Sequence, residues 1–226
     1  MSNDFEALNR VLKARYSCRA YLPDPVPETL VERIVQAAGR APSWCNAQPW
    51  NVTVTRGDET TRFRDVMTQV VSADQPSPDI PWPVSYSGAY KTRRRTCGFQ
   101  LYEALGIARD DHTARQAQSL RNFAFFDAPH VAIISSEAEL GPYGAMDTGG
   151  FVTAFMLAAT GLGVASIAQA SVAAYPDVIR RHFNLPQTRQ ILCAISFGYA
   201  DTDHPANGFR TDRAALNEIY DPRGTD

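Results

Sequence analysis

Apolar residues recur at helical spacing from the start of the chain. Phe5, Leu8, Val11 and Leu12 share one face, and Asn3 or Asp4 stands where a helix N-cap belongs. A second helix is predicted to begin near Pro27, Glu28 and Thr29. Leu30, Ile34, Ala37, Ala38 and Ala41 form its apolar stripe, Thr29 and Glu32 fit a capping box, and Pro42 ends it. The period then changes from about 3.6 to 2. Residues 51–55 (Asn-Val-Thr-Val-Thr) alternate like a half-buried strand, closed by the turn residues Gly57 and Asp58. Phe63, Val66, Met67 and Val70 predict a further helix.

Residues 72–88 contain Pro76, Pro78, Pro81 and Pro83 around Trp82, too many prolines for a helix or strand interior, so the stretch reads as an ordered arm or lid. Helices resume over 90–106 and 115–125. Residues 131–134 (Val-Ala-Ile-Ile) read as a central strand, 149–159 as a strongly apolar helix, 175–183 as a shorter helix and 191–197 as the last clear strand. Strands that are few, short and separated by helices, without a regular βαβ repeat, indicate an α+β fold. No internal repeat or polar linker divides the chain, so residues 1–226 are expected to form a single domain. Phe151, Val152, Ala154, Phe155, Met156 and Leu157 make the 149–159 helix apolar on nearly every face, a pattern of complete burial that often marks a subunit interface.

Composition narrows the function. Hydrophobic residues make up 44% and charged residues 20% of the chain, and the formal net charge is −2. That balance gives no general electrostatic case for nucleic acid or an anionic membrane as partner. The basic run 91–95 (Lys-Thr-Arg-Arg-Arg) is isolated and reads as a solvated helix face. Cys18, Cys45, Cys97 and Cys193 are scattered, without a Cys-x-x-Cys pair or a His/Cys cluster at metal-ligand spacing. No structural zinc or other metal is expected, and reduced thiols fit a cytoplasmic setting. No signal sequence or membrane span is visible. The four histidines show no partner pattern suggesting a triad, so no catalytic side chain is assigned.

Candidate chemistry lies in the connections. Arg15, Ser17 and Arg19 alternate around Tyr16 and Cys18; in an extended segment all three face one side, a good lining for a phosphate and polyol tail. A solvated basic loop is the alternative. Residues 41–50 (Ala-Pro-Ser-Trp-Cys-Asn-Ala-Gln-Pro-Trp) join a helix to a strand. Ser43, Asn46 and Gln48 could bind the edge of a heteroaromatic ring while Pro42 and Trp44 cover a face. A tight turn capped by Asn46, with Pro49 and Trp50 in the core, would also account for them. Arg210 and Arg213 beside the Gly208 turn offer a second phosphate clamp, or surface pairs with Asp203 and Asp212. Gly161 and Gly163 lack the third glycine and preceding strand of a dinucleotide fingerprint. They read as a helix C-cap, leaving 166–169 to present backbone groups to a ligand.

The segment 15–21 (Arg-Tyr-Ser-Cys-Arg-Ala-Tyr) followed by 41–50 resembles the paired signature of the FMN-dependent nitroreductase family. The likeness continues through 161–169 to 207–213. Trp44-Cys45 and the segment 121–130 look closest to nitrobenzoate- and nitrobenzene-reductase-like members. The resemblance implies a nitroreductase-like α+β fold, with a mainly antiparallel sheet flanked by helices in an intertwined homodimer. It also implies two FMN sites at the subunit interface. Arg15, Tyr16, Ser17 and Arg19 would come from one subunit with Arg210 and Arg213 near the phosphate; Pro42, Ser43, Trp44 and Asn46 would reach in from the partner. Ser166, Ile167, Ala168 and Gln169 would lie along the isoalloxazine. NADPH or NADH would reduce FMN by hydride transfer at N5 and leave, and a small nitroaromatic or quinone acceptor would then take the same slot. Reductive dehalogenation or enone reduction on the same scaffold, and a non-catalytic flavin-binding protein, are the competing readings. The arm with Trp82, and Arg93–Arg95, would shape the acceptor pocket.

Overall fold

The computed structural model describes residues 3–223. Strands β1 (Asn51–Val54), β2 (His130–Glu137), β3 (Ala165–Gln169) and β4 (Arg189–Gly198) form one wholly antiparallel sheet in the order β1-β2-β4-β3. Ile134 pairs with Cys193 and Ser135 with Ile191, so Leu192 is an extra, bulged residue in β4.

The central strands are apolar because both faces are covered. Val131 and Ile133 of β2 join Phe63 and Met67 of α3 (Asp58–Ala73) and Ile179 of α7 (Pro176–Phe183) in one core cluster. Ala132 and Ile134 alternate to the other face. There they meet Val31, Ile34 and Ala38 of α2 (Glu28–Ala38) and Phe151, Phe155 and Ala159 of α6 (Gly141–Gly161). Each of the larger side chains among them (Val, Ile, Phe, Met) stabilises the fold by about 1.5–3 kcal/mol through burial. The expected α+β architecture is present, with helices on both faces of the antiparallel sheet.

Several elements differ from the sequence expectation. The Thr29–Glu32 capping box does not form: α2 starts at Glu28 with Pro27 in the N-cap place, whose carbonyl accepts from Leu30 and Val31. Helix α6 begins at Gly141, well before residue 149, because Pro142 occupies the first turn, where no amide hydrogen is needed. The expected helix over 115–125 is α5 (His112–Leu120), capped by the Asp111 carboxylate accepting from Ala114 N at 2.8 Å. Beyond it Phe125, Phe126 and Asp127 all have left-handed backbone (φ 57°, 52° and 61°). That conformation costs roughly 1–2 kcal/mol per residue. Burial of both phenylalanine rings in separate clusters offsets it. Residues 165–169, for which no strand is predicted, are strand β3. Gly163 (φ 74°) ends α6 in a Schellman motif, Val164 N donating to Ala159 O and Gly163 N to Thr160 O, and so reverses the chain onto the sheet.

Two apolar surfaces stay uncovered in the single chain. Helix α1 (Asn3–Ala14) buries no residue fully, and Phe5, Leu8 and Leu12 are 56%, 50% and 49% exposed. Helix α6 packs one side inward while Met146, Gly149, Gly150 and Thr153 face out. The proline-rich segment lies between α3 and α4 (Gly88–Ala104), and is irregular as expected. It is pinned at its start: Ser77 N donates to Ala174 O at 2.8 Å, and the Asp79 carboxylate takes both ends of the Arg180 guanidinium (2.8 and 3.0 Å) and Ile191 N (2.8 Å). Ile80, Trp82, Val84 and Tyr86 beyond it are exposed. In the basic run, Arg93 pairs with Glu218 at 2.8 Å and Arg94 lies over Tyr86. Among the described residues no helix is long and apolar enough to cross a membrane.

His130 gives this core a pH dependence. Val26 N donates to its Nε2 (2.9 Å), and its Nδ1 donates to Thr55 O (3.1 Å), an arrangement that requires the neutral ring. Burial lowers its pKa from the ordinary 6.5, outweighing the bond to Thr55. The unfolded chain therefore binds the proton more readily, and this contribution to stability is complete above the ordinary value and declines as pH falls from there through the folded value. Urea midpoints at about pH 8 and about pH 5 should show lower stability at acid pH, and His130→Gln should reduce that difference.

Candidate active site

After α1 the chain becomes extended and runs beside β3. Ser17 pairs with Ser166 in a parallel bridge and Cys18 N donates to Ser166 O at 3.2 Å; further on, Leu22 N donates to Tyr199 O at 2.8 Å. Extended geometry sorts the side chains as the alternation predicts: Cys18 and Ala20 are buried, while Arg15, Ser17 and Arg19 line a cleft of about 570 Å³. Burial pushes the Cys18 thiol pKa up, and its Sγ bonds Ala20 O at 3.1 Å, so this cysteine is a packing residue.

The C-terminal segment is brought to the same cleft by Asn207. Its buried side chain accepts from Arg19 N (2.8 Å) and donates to Ala20 O (2.9 Å) and Asp201 O (2.7 Å). Arg210 and Arg213 then line the cleft together with Arg15 and Arg19. The Arg210 guanidinium lies 3.7 Å from the centre of the Tyr16 ring and Arg19 lies 5.8 Å from that of Phe209. Arg213 Nη1 donates to Thr211 O and Oγ1 at 3.0 and 2.9 Å. Among the described residues none of these four arginines is paired with a carboxylate, although Arg56, Arg62, Arg93, Arg121, Arg180 and Arg189 all are. Asp203 and Asp212 do not pair with Arg210 or Arg213. Burial, and then the Arg213 charge, lower the pKa of Arg15; burial lowers that of Arg19. The cluster lacks its counter-charge, and an anion in the cleft would relieve both effects.

Strand β3 forms the neighbouring edge. The Ser166 carbonyl points away from β4 towards Cys18, and strand alternation puts the N–H of the exposed Ala168 on the same open edge. The Ser166 hydroxyl, buried next to Ser17, has no hydrogen-bond partner. Ile167 and Gln169 turn inward. The Gln169 amide is fully engaged, its Nε2 donating to Asn122 O at 2.8 Å and its Oε1 accepting from Ser196 Oγ, which leaves only backbone to offer a ligand.

The 42–50 loop lies elsewhere. Cys45, Asn46 and Gln48 are left-handed (φ 50°, 56° and 49°), Gln48 N donates to Ser43 Oγ at 2.9 Å, and Pro49 is buried. Trp50 stacks on Phe151 at 5.3 Å, as its core reading requires. Trp44 is 57% exposed, its backbone N–H donating to the Asp147 carboxylate at 2.9 Å and its ring 4.3 Å edge-on to Tyr143. Trp44 borders a separate hollow of about 300 Å³ with Tyr143 and Asp147, and the two clefts share no lining residue. The single chain thus brings together Arg15, Tyr16, Ser17, Arg19, Arg210 and Arg213, with Ser166–Gln169 alongside. It leaves Pro42, Ser43, Trp44 and Asn46 outside that cleft. Sequence reasoning missed Lys13 and Phe209 in the lining and the organising role of Asn207. Lys13 lies in the last turn of α1, where a lysine carries no site signal of its own, and Asn207 is marked only by the turn that follows it.

The nitroreductase family model matches residues 12–199. Over 214 residues the chain is 36% identical to nitroreductase NfnB of Mycolicibacterium smegmatis, covering 94% of this chain and 91% of that one. Over 222 residues it is 32% identical to the 4-nitrobenzoate reductase of a Nocardioides species, covering 94% and 88%. The crystal structure of the FMN-dependent nitroreductase NfnB from Mycobacterium smegmatis in complex with NADPH superposes with a TM-score of 0.93 at 34% identity, covering 98% of this chain and 100% of that one.

Proposed function

The chain belongs to the nitroreductase family, and we propose that it is an FMN-dependent NAD(P)H oxidoreductase that reduces nitroaromatic compounds. The observation that carries this reading is the cluster of Arg15, Arg19, Arg210 and Arg213, without a carboxylate partner among the described residues, around a cleft that opens beside the edge of β3. Such a cluster fits a phosphate-bearing cofactor, and the unpartnered Ser166 hydroxyl next to Ser17 fits a polar group lying along the same edge.

When bound, FMN supplies the chemistry these side chains lack: hydride exchange between NAD(P)H and an electron-poor aromatic acceptor. The protein's own groups bind and orient. Arg15, Ser17 and Arg213 hold the phosphate, Arg19 places a fixed cation further along the extended segment, and the Ala168 N–H on the open edge is a donor that stabilises negative charge. No side chain is needed as a nucleophile.

In this reading the protein is a homodimer. The exposed stripe of Phe5, Leu8 and Leu12 and the outer face of α6 supply an apolar contact surface. Pro42, Ser43, Trp44 and Asn46 complete the partner's site, which explains why they stand apart from the arginine cleft of their own chain. Trp82 and Tyr86 of the arm offer aromatic surface to a small acceptor, with Arg94 beside them suited to a carboxylate. The purified protein should absorb at about 450 nm, elute as a dimer, and lose its colour anaerobically on addition of NADPH or NADH, regaining it on addition of nitrobenzoate. A colourless protein that takes up no FMN would sink the proposal.

A further inference from the structure

Two segments supply the arginines of the cleft, and they are attached to the protein unequally. Residues 15–21 are tied to the sheet: Cys18 N donates to Ser166 O, and the buried Tyr21 hydroxyl shares its proton between Ser196 O (3.0 Å) and Cys18 O (3.2 Å). The segment that carries Arg210 and Arg213 has no such support. Asn207 is the last buried residue among those described, and among them every hydrogen bond of residues 209–213 stays within that stretch or returns to Asn207 O. Further on, Glu218 pairs with Arg93, but both side chains are exposed and such a pair holds little.

Asn207 supplies the missing attachment, and its amide is used completely. Oδ1 accepts from Arg19 N, while Nδ2 donates to Ala20 O and to Asp201 O. Two of the three partners belong to the segment of Arg15 and Arg19, so one side chain fixes the second segment against the first. No other side chain of this size offers one acceptor and two donors in a plane. The attachment also works against repulsion, because the Arg213 charge acts unfavourably on Arg15. At 4% exposure, with every polar atom of its side chain spent, Asn207 has nothing left to offer a ligand.

We propose that Asn207 is a positioning residue for the flavin phosphate: it holds the C-terminal segment where Arg213 reaches the same phosphate as Arg15, so phosphate recognition passes through a residue that does not touch it. The inference rests on the flavin reading above. Asn207 then governs the phosphate's share of binding and leaves that of the isoalloxazine alone.

The test compares FMN with riboflavin, which lacks the phosphate. After removal of bound flavin, the full chain is titrated with each and flavin fluorescence is read. The wild type should bind FMN about 100-fold tighter or more. Asn207→Ala should weaken FMN by about 10- to 100-fold and leave riboflavin within about twofold. Adding Arg213→Gln to Asn207→Ala should weaken FMN little further, because both changes remove the same contact. Serine has one donor proton where the amide has two, so Asn207→Ser should keep part of the affinity; it replaces the alanine variant in every comparison if that one does not fold. A wild type that binds both flavins equally overturns the inference and leaves the flavin reading intact. So does an Asn207 variant that weakens both flavins alike, or an effect that simply adds to that of Arg213→Gln. A wild type that binds neither flavin overturns both.

Discussion

An Arg15→Gln, Arg213→Gln double variant should purify without flavin. Each arginine is positioned to make charge-assisted hydrogen bonds, worth about 1.5–3 kcal/mol apiece. Losing both should weaken FMN binding by about 10²–10⁴-fold, measured by fluorescence titration of the apoprotein. The same double substitution should leave the apoprotein's thermal midpoint unchanged or slightly raised. Among the described residues neither arginine has a carboxylate partner to lose, and the Arg213 charge already disfavours the charge on Arg15. Loss of binding without loss of stability separates a ligand site from a structural ion-pair network. A parallel fall in stability would mean that the cluster holds the fold together.

The opposite behaviour is expected at Asp79. Arg180 is only 7% exposed, and the Asp79 carboxylate neutralises it from the base of the proline-rich arm while also accepting from Ile191 N. Asp79→Ala strands a buried guanidinium, which costs about 3–5 kcal/mol. In a chain of this size that corresponds to a fall in thermal midpoint of about 6–20 °C by calorimetry. Asp177, the other carboxylate on Arg180, is largely exposed and replaces little of the loss. Replacing the pair together (Asp79→Leu with Arg180→Met) should recover most of the stability, because the cost lies in the unpaired charge. A single variant as stable as the parent would show that the arm is not anchored here.

Periodicity made most of the framework legible. Phe63, Met67 and Val70 and the apolar run 131–134 announced α3 and β2 because those side chains are buried, and the alternation of 51–55 announced β1, whose Val52 and Val54 pack partly buried against the core. Strand β3 escaped because Ala-Ser-Ile-Ala-Gln has little β-propensity and follows two glycines; it is a strand through its pairing with β4, which local sequence does not carry. The first turns of α6 were hidden by Gly141, Pro142 and Gly144. At the site, the alternation of Arg15, Ser17 and Arg19 and the paired arginines near the C-terminus were readable. That Gln169 would spend its amide on Asn122 and Ser196 was not, since both partners are distant in sequence.

The left-handed turn at Phe125, Phe126 and Asp127 links core and site. It starts three residues after Asn122, whose carbonyl accepts from Phe125 N and also holds Gln169 at the end of β3. Such a turn persists only while the two rings remain packed on either side of it, so the position of the β3 edge depends on side chains that touch no ligand. Trimming Phe125 or Phe126 would relax the turn and let that edge drift. Core and site therefore cannot diversify independently: a lineage that retunes its acceptor range through β3 is constrained by the volume of two phenylalanines, and laboratory evolution should find compensating changes there.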